Sequence, residues 1–483
     1  MQALTLLWLR RWFRMPAVLA CAALAAAACL PIEAGAVPAF ARQTGQNCVA
    51  CHAGGQFPEL TPYGRLFKLT GYTIGERGIP FSLMGVATMN KTRSTSDPNG
   101  EVGSDFPKDG NPIFNTGSLF IAGKVTDNIG GFVQITYNNY DHQREDSSWQ
   151  GHTYSDNLDI RYADRFIDGN RDLIVGVTLH NNPTVQDVWN SAPAWGFNVV
   201  PGSSGPGVTP LLAGGLAQQA AGLGAYAYWN RTLYAELSAY RTADGFWSFM
   251  SQGYRVATDN LAVQKGYSPY WRVALTHDWG PHNLMVGAAG LVADLHTDAA
   301  DTSSPTWRYR DIALDAQYQY LLDPHTVTAQ LSYIDERIGY DGATAGQAGA
   351  YDAANGTSAQ PLTNDRDTLK MFRAKASYVY QARYGTSLSY FDVHGSYNSL
   401  NQAALPQDPS TWAQLASVSG SLAGTPDTRA LTAEVFWTPV QYARIGLQYT
   451  AFNKYNGASS NYDGWGRSAK DNNTVFLYVW GAY

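Results

Sequence analysis

The stretch "TVTAQLSYID", residues 326–335, alternates without a break: Val327, Ala329, Leu331 and Tyr333 fall on one face, and Thr328, Gln330 and Ser332 on the other. A period of two belongs to a β-strand with one apolar and one polar side. "ARIGLQYT" (443–450) repeats it, with Ile445, Leu447 and Tyr449 opposite Arg444, Gln448 and Thr450. Leu173, Val175, Val177 and Leu179 oppose Asp172, Thr178 and His180 in the same way. A half-buried strand of a soluble sandwich would alternate identically, so the strands alone leave two architectures open.

The connections separate them. Short turns near 126–130, 167–171, 230–232, 280–282, 321–324, 381–385 and 439–442 alternate with long polar connections near 92–111, 139–157, 182–221, 242–267, 294–306, 337–366, 396–426 and 454–471. Seven short and eight long connections join sixteen strands, the up-and-down order of an outer-membrane barrel with short periplasmic turns and long outer loops. Greek-key crossings give no reason for such an order. The last strand, "NTVFLYVWGAY" (473–483), carries Val475, Leu477 and Val479 on the face of the terminal Tyr483. Its other face, Phe476, Tyr478 and Trp480, is aromatic rather than polar, so the interior is expected to pack against something. Trp229, Trp271, Trp279 and Trp437 stand near strand ends, where interfacial girdles form. The expected fold is all-β: a sixteen-stranded antiparallel transmembrane β-barrel over residues 80–483.

Residues 1–36 read as an export signal: Arg10, Arg11 and Arg14, then an apolar run from Ala17 to Leu30, then Ala34-Gly35-Ala36 as a small-x-small cleavage site. Cys21 and Cys29 leave with it, and so do three arginines and Glu33. The remaining chain has 30 Lys plus Arg against 38 Asp plus Glu, a net charge of −8, which excludes a nucleic-acid footprint. No helix-length apolar segment follows Val37, so a membrane is crossed by a barrel or not at all.

Cys48, Cys51 and His52 form a Cys-x-x-Cys-His in residues 37–79. Two thiols at this spacing reach both vinyl groups of one haem, and the adjacent imidazole binds its iron. The pair alone would also suit a disulfide, half a zinc site or a thioredoxin-type centre. Zinc needs four ligands and no second cysteine pair exists; a thioredoxin site needs a βαβ pattern that is absent. One covalent haem c is the expected cofactor. Downstream, Thr61 caps a short helix with Pro62 in its first turn, and Tyr63, Leu66 and Phe67 make an apolar face before Gly71 ends it. That face either covers the porphyrin or docks on the barrel wall. About forty residues rarely bury enough core to fold alone, and a sixteen-stranded barrel has room inside. The segment is therefore expected to plug the lumen.

"AVPAFARQTGQNCVACH" (36–52), followed by "PELTPYGRLFKLTGY" (58–72) and a strand-rich remainder ending at Tyr483, resembles the fused outer-membrane monohaem cytochrome-porins of iron-oxidising bacteria. The specific match is confined to residues 36–73. The resemblance implies an outer-membrane electron conduit that oxidises extracellular Fe(II) and passes electrons to a periplasmic cytochrome. Cys48 and Cys51 carry over as thioether residues and His52 as the proximal ligand. For the distal ligand, Met84 and Met89 in the first strand are candidates, since a thioether raises the haem potential, with His180 next. Arg161, Arg165, Arg373 and Lys375 on inner faces offer partners for propionates. Glu101, Asp105, Asp141, Glu145 and Asp146 in outer loops offer oxygen ligands to ferrous iron, with no spacing that marks a site. The alternatives are a haem-plugged solute porin and an electron conduit for a non-iron donor.

Overall fold

The computed structural model describes residues 38–55, 59–94, 96–97, 100–101, 110–143, 149–182, 187–190, 206, 208–252, 262–340, 364–398, 421–464 and 466–483. Sixteen strands, from Phe81–Thr92 to Thr474–Ala482, pair antiparallel with their neighbours in chain order. The barrel closes where the first strand meets the last, Met84 opposite Ala482 and Thr92 opposite Thr474. Tyr483 fastens this seam with a backbone pair: Leu83 N–H donates to its carbonyl at 2.7 Å and its own N–H returns to Leu83 O at 2.8 Å. The expected export signal, residues 1–36, lies outside the described residues.

The alternation read at 326–335 sorts inside from outside. Thr328, Gln330 and Ser332 are buried in the barrel, whereas Leu331 and Tyr333 are exposed on its outer wall. Arg444, Gln448 and Thr450 likewise face in, and Leu447 and Tyr449 face out. An apolar exterior on a closed sheet leaves no backbone edge unpaired, the condition for a sheet to cross a bilayer. Trp229, Trp279 and Trp437 are exposed near the short-turn end of that exterior and Trp271 near the other, as girdles require.

All seven short turns occur where expected. One long connection is shorter than the sequence reading: the strands Ile129–Gln143 and Trp149–Asp168 run far into 139–157. Its polar residues fit a lumen-facing strand side as well as a loop, so composition could not place the boundary. A two-residue hairpin, Ser96–Asp97 with Gly100–Glu101, sits in the first long connection.

The lumen is filled. The described parts of the connection between His180 and Ala220, 187–190 and 208–219, fold inward, burying Val188, Trp189, Leu211, Leu212 and Leu216 against inner-wall residues such as Tyr234, Tyr270 and Ile334. The aromatic inner face of the last strand packs with Val86, Ile113 and Met84. The sequence offered no apolar period for this inward fold, because its contacts come from separate strands rather than from one face.

Candidate functional site

The N-terminal segment, residues 38–79, lies inside the barrel at the short-turn end. It holds three helices: α1 (Pro38–Thr44), α2 (Cys48–Cys51) and α3 (Pro62–Leu69). Gln43 at the end of α1 acts as a clamp. Its Nε2 donates to the carbonyls of Tyr72 (2.7 Å) and Ile74 (2.8 Å), and its Oε1 accepts from Lys124 N on the barrel (2.8 Å). Phe40 stacks on Tyr72 at 5.2 Å and meets Phe67 edge-on at 4.9 Å, giving the segment a small aromatic core of its own.

The thiols and the imidazole share one turn. His52 N–H donates to Cys48 O at 2.8 Å, and Gly54 and Gly55, with φ of 74° and 84°, then reverse the chain. The returning strand clips onto it: Ala53 N–H donates to Glu59 O (2.8 Å), and Thr61 N–H to Cys51 O (2.9 Å). Thr61 Oγ1 both donates to Ala50 O and caps α3 by accepting from Gly64 N–H (3.1 Å). Gly64 packs so closely that a Cβ there would run into the Cys51 carbonyl.

Cys48 is buried and Cys51 half-buried, and neither is in a disulfide. Cys48 touches the barrel turn, its Sγ 3.4 Å from Gln441 O. Burial, aided by Cys48, pushes the Cys51 thiol up to about 11. Burial draws His52 down to about 4, against the opposing pull of Glu59, so its imidazole is neutral at neutral pH and keeps a lone pair for a metal. Its Nδ1 is buried with no hydrogen-bond partner. Two thiols outside any disulfide and a neutral imidazole with an open nitrogen, all within one turn, fit a covalently attached haem.

Three polar anchors fix the segment to the wall. Glu59 pairs with Lys375 at 2.6 Å. Arg65, 4% exposed, donates to Leu60 O (2.6 Å), Gln317 Oε1 (3.1 Å), Gln319 Oε1 (3.1 Å) and Asn283 Oδ1 (2.5 Å). Buried Asp159 accepts from Tyr72 Oη at 2.6 Å, from Arg161 Nε at 2.9 Å and from Thr178 Oγ1 at 2.8 Å, with Lys68 Nζ 3.8 Å away. Leu66 and Leu69 dock on the wall beside Ala163, Ile174 and Tyr226, whose hydroxyl donates to Leu69 O at 2.7 Å. Of the two readings of the α3 face, wall docking describes Leu66, and Phe67 serves the segment's own core.

The remaining candidates separate. Met84 is on the inner face of its strand, packed with the aromatic cluster of the last one. Met89 is an odd-numbered residue of a strand whose even-numbered Val86, Thr88 and Asn90 are buried inside, and it pairs with Leu477. Strand alternation thus turns it outward, and it is no candidate ligand to a group in the lumen. His180 has both ring nitrogens engaged, Nδ1 with Thr178 Oγ1 (3.2 Å) and Nε2 with Tyr240 Oη (2.8 Å). Arg161 and Lys375 are held by Asp159 and Glu59, and Arg165 pairs with Asp172 at 2.6 Å. Arg373 shares the inner side with Lys375 two residues on. Asp105, Glu145 and Asp146 and the side chains of Glu101 and Asp141 lie outside the described residues. Gln43, Glu59, Arg65 and Asp159 were missed from sequence. Arg65 lies off the face of Tyr63, Leu66 and Phe67, and Glu59 and Lys375 are 316 positions apart, so neither contact left a local signal.

No family model matches the chain, and no curated protein does. Among solved structures it is similar to the outer membrane channel DcaP of Acinetobacter baumannii, at 12% identity over 83% of this chain and 96% of that one, TM-score 0.43. It is also similar to OmpF of Salmonella typhi in complex with daunomycin, at 10% identity over 83% and 97%, TM-score 0.46. With OmpT of Vibrio cholerae the values are 8%, 83% and 96%, TM-score 0.42. The architecture rests on the strand pairing itself, which closes sixteen strands into one barrel.

Proposed function

We propose that this chain is an outer-membrane electron conduit. One haem c, attached through Cys48 and Cys51 with His52 as an iron ligand, takes electrons from an extracellular donor, Fe(II), and passes them to a soluble periplasmic cytochrome. The observation that carries the reading is the way the Cys-x-x-Cys-His turn is built into the barrel mouth. Glu59, Thr61 and Gly64 clip it to α3, and Lys375 and Gln441 tie it to the wall. A segment that merely blocked a pore would need the wall contacts but not a Cys-x-x-Cys-His whose thiols and neutral imidazole share one turn. Short turns face the periplasm in barrels of this kind, which puts the turn within reach of a soluble partner. When bound, haem c supplies a one-electron centre; the chain's part is to hold it in one orientation and keep water from its imidazole side.

Met84, on the inner face of the first strand, is the leading second ligand. Met84→Ala should leave haem attachment intact and lower the reduction potential, as loss of a thioether ligand does; an unchanged potential removes Met84 from that role.

A second reading is a haem-plugged solute porin, favoured by the polar inner wall and by a strand number that leaves an aqueous channel when nothing fills it. The purified protein decides. Covalent haem, read by its absorbance in the denatured chain and diminished in Cys48→Ala, is required by both readings; liposomes that stay closed to small sugars support the conduit. Sugar uptake by the haem-loaded protein would favour the porin.

A further inference from the structure

Asp311 and Glu336 face each other in register on the strands Thr306–Leu322 and His325–Gly339. Each is only 1% exposed. Glu336 Oε2 accepts from Leu211 N–H and Asp311 Oδ2 from Leu212 N–H, both at 2.6 Å. These are the first two N–H groups of a 3-10 turn, Leu211–Ala213, that follows Pro210 in the inward-folded connection. The two acids thus grip the segment whose leucines fill the outer part of the lumen.

Among the described residues neither acid has an ion pair, and Asp311 Oδ1 is buried with no donor. Among the described residues the surroundings offer no cation. Residues 208–219 carry no charge, and Leu291 and Ala293 of the next strand are apolar, as are Ile334 and Ile338 flanking Glu336. Tyr309 lies beside the pair. Asp367, beyond it, is taken up by Tyr340, Asn364 and Asn398. Asp335 and Arg337 pair with each other at 3.5 Å; Arg310, beside Asp311 on its own strand, and Lys370, on the strand next to Glu336, sit on exposed positions. Two buried carboxyl groups in contact without a cation hold one proton between them, and that proton gives Asp311 Oδ1 the donor it lacks.

We infer that Asp311 and Glu336 form a proton-sharing latch that keeps the 208–219 segment folded into the lumen and releases it when the shared proton is lost. With the proton in place the pair carries one negative charge, satisfied by two backbone N–H groups. Without it, two negative charges abut in an apolar site, and the relief open to the fold is withdrawal of the turn and entry of water. The closed form holds one proton more than the open one. Opening is therefore favoured as pH rises, by up to about tenfold per pH unit above the range where free carboxyls titrate.

Hydrogen exchange of the full-length protein in detergent or nanodiscs, followed at the Leu211 and Leu212 amides, tests this without reference to any cofactor. Protection factors should fall by up to about tenfold per pH unit over a window between roughly pH 5 and 8. In Glu336→Gln the amide donates to Asp311 and still accepts from Leu211, so protection should lose its pH dependence; Asp311→Asn serves if that variant does not assemble. Protection that is independent of pH in the wild type, or an unchanged slope in the amide variant, overturns the latch.

Discussion

Gly64 and Glu59 determine whether the cysteine turn is held in place. At Gly64 the helix α3 touches the Cys51 carbonyl, with no room for a methyl group. Gly64→Ala should force the two elements apart at a cost of about 1–3 kcal/mol. It is expected to lower covalent haem content and expose the segment to protease, whereas Gly169→Ala, in open space at a turn, should change neither. Glu59 acts through Lys375. Burial alone would raise its carboxyl, but the ammonium at 2.6 Å outweighs this and holds it below the ordinary value. A depressed carboxyl contributes stability that is present above its unfolded pKa and lost as pH falls through the folded one. Docking of the segment, followed by protease release of an N-terminal fragment, should weaken below about pH 4.5 in the wild type. Glu59→Gln should be loose already at neutral pH, and equal resistance of both proteins at neutral pH would remove the ion pair from this role.

At the scale of the element, period-two alternation is the property that matters, and it makes a sharp prediction. Leu331 is on the outer wall, 48% exposed when lipid is left out, between inward Gln330 and Ser332. Leu331→Arg should destabilise the barrel by about 2–4 kcal/mol if the residue lies near the bilayer midplane, read by urea unfolding in lipid; no loss would contradict the assignment of faces. The same alternation made the strands legible in the sequence, and the turn lengths made their order legible. The cysteine turn and the Thr61 cap were legible for a similar reason, each being a local pattern. What stayed hidden was long-range. The outward turn of Met89 follows from which side of the first strand, that of Val86, Thr88 and Asn90, packs into the lumen. The grip on Arg65 depends on amides from Asn283, Gln317 and Gln319. The inward fold around Trp189 and Leu211 is held by polar groups of strands far along the chain, Gln317 at 2.8 Å from Trp189 O among them.

In the whole molecule, a barrel wide enough for a channel is filled from both ends. The N-terminal segment occupies the short-turn end, and the inward connection meets it where Trp189 and Leu69 join one core. The shared core ties the cysteine turn to the barrel. The central claim is that a haem on Cys48 and Cys51 accepts electrons from ferrous iron. Its most direct test is anaerobic stopped-flow spectroscopy of the oxidised protein in detergent, following the haem band as Fe(II) is added, with Cys48→Ala as the blank. Fast, saturable reduction is the predicted result. A haem that dithionite reduces and Fe(II) does not would contradict the claim, leaving the haem-bearing barrel with another donor.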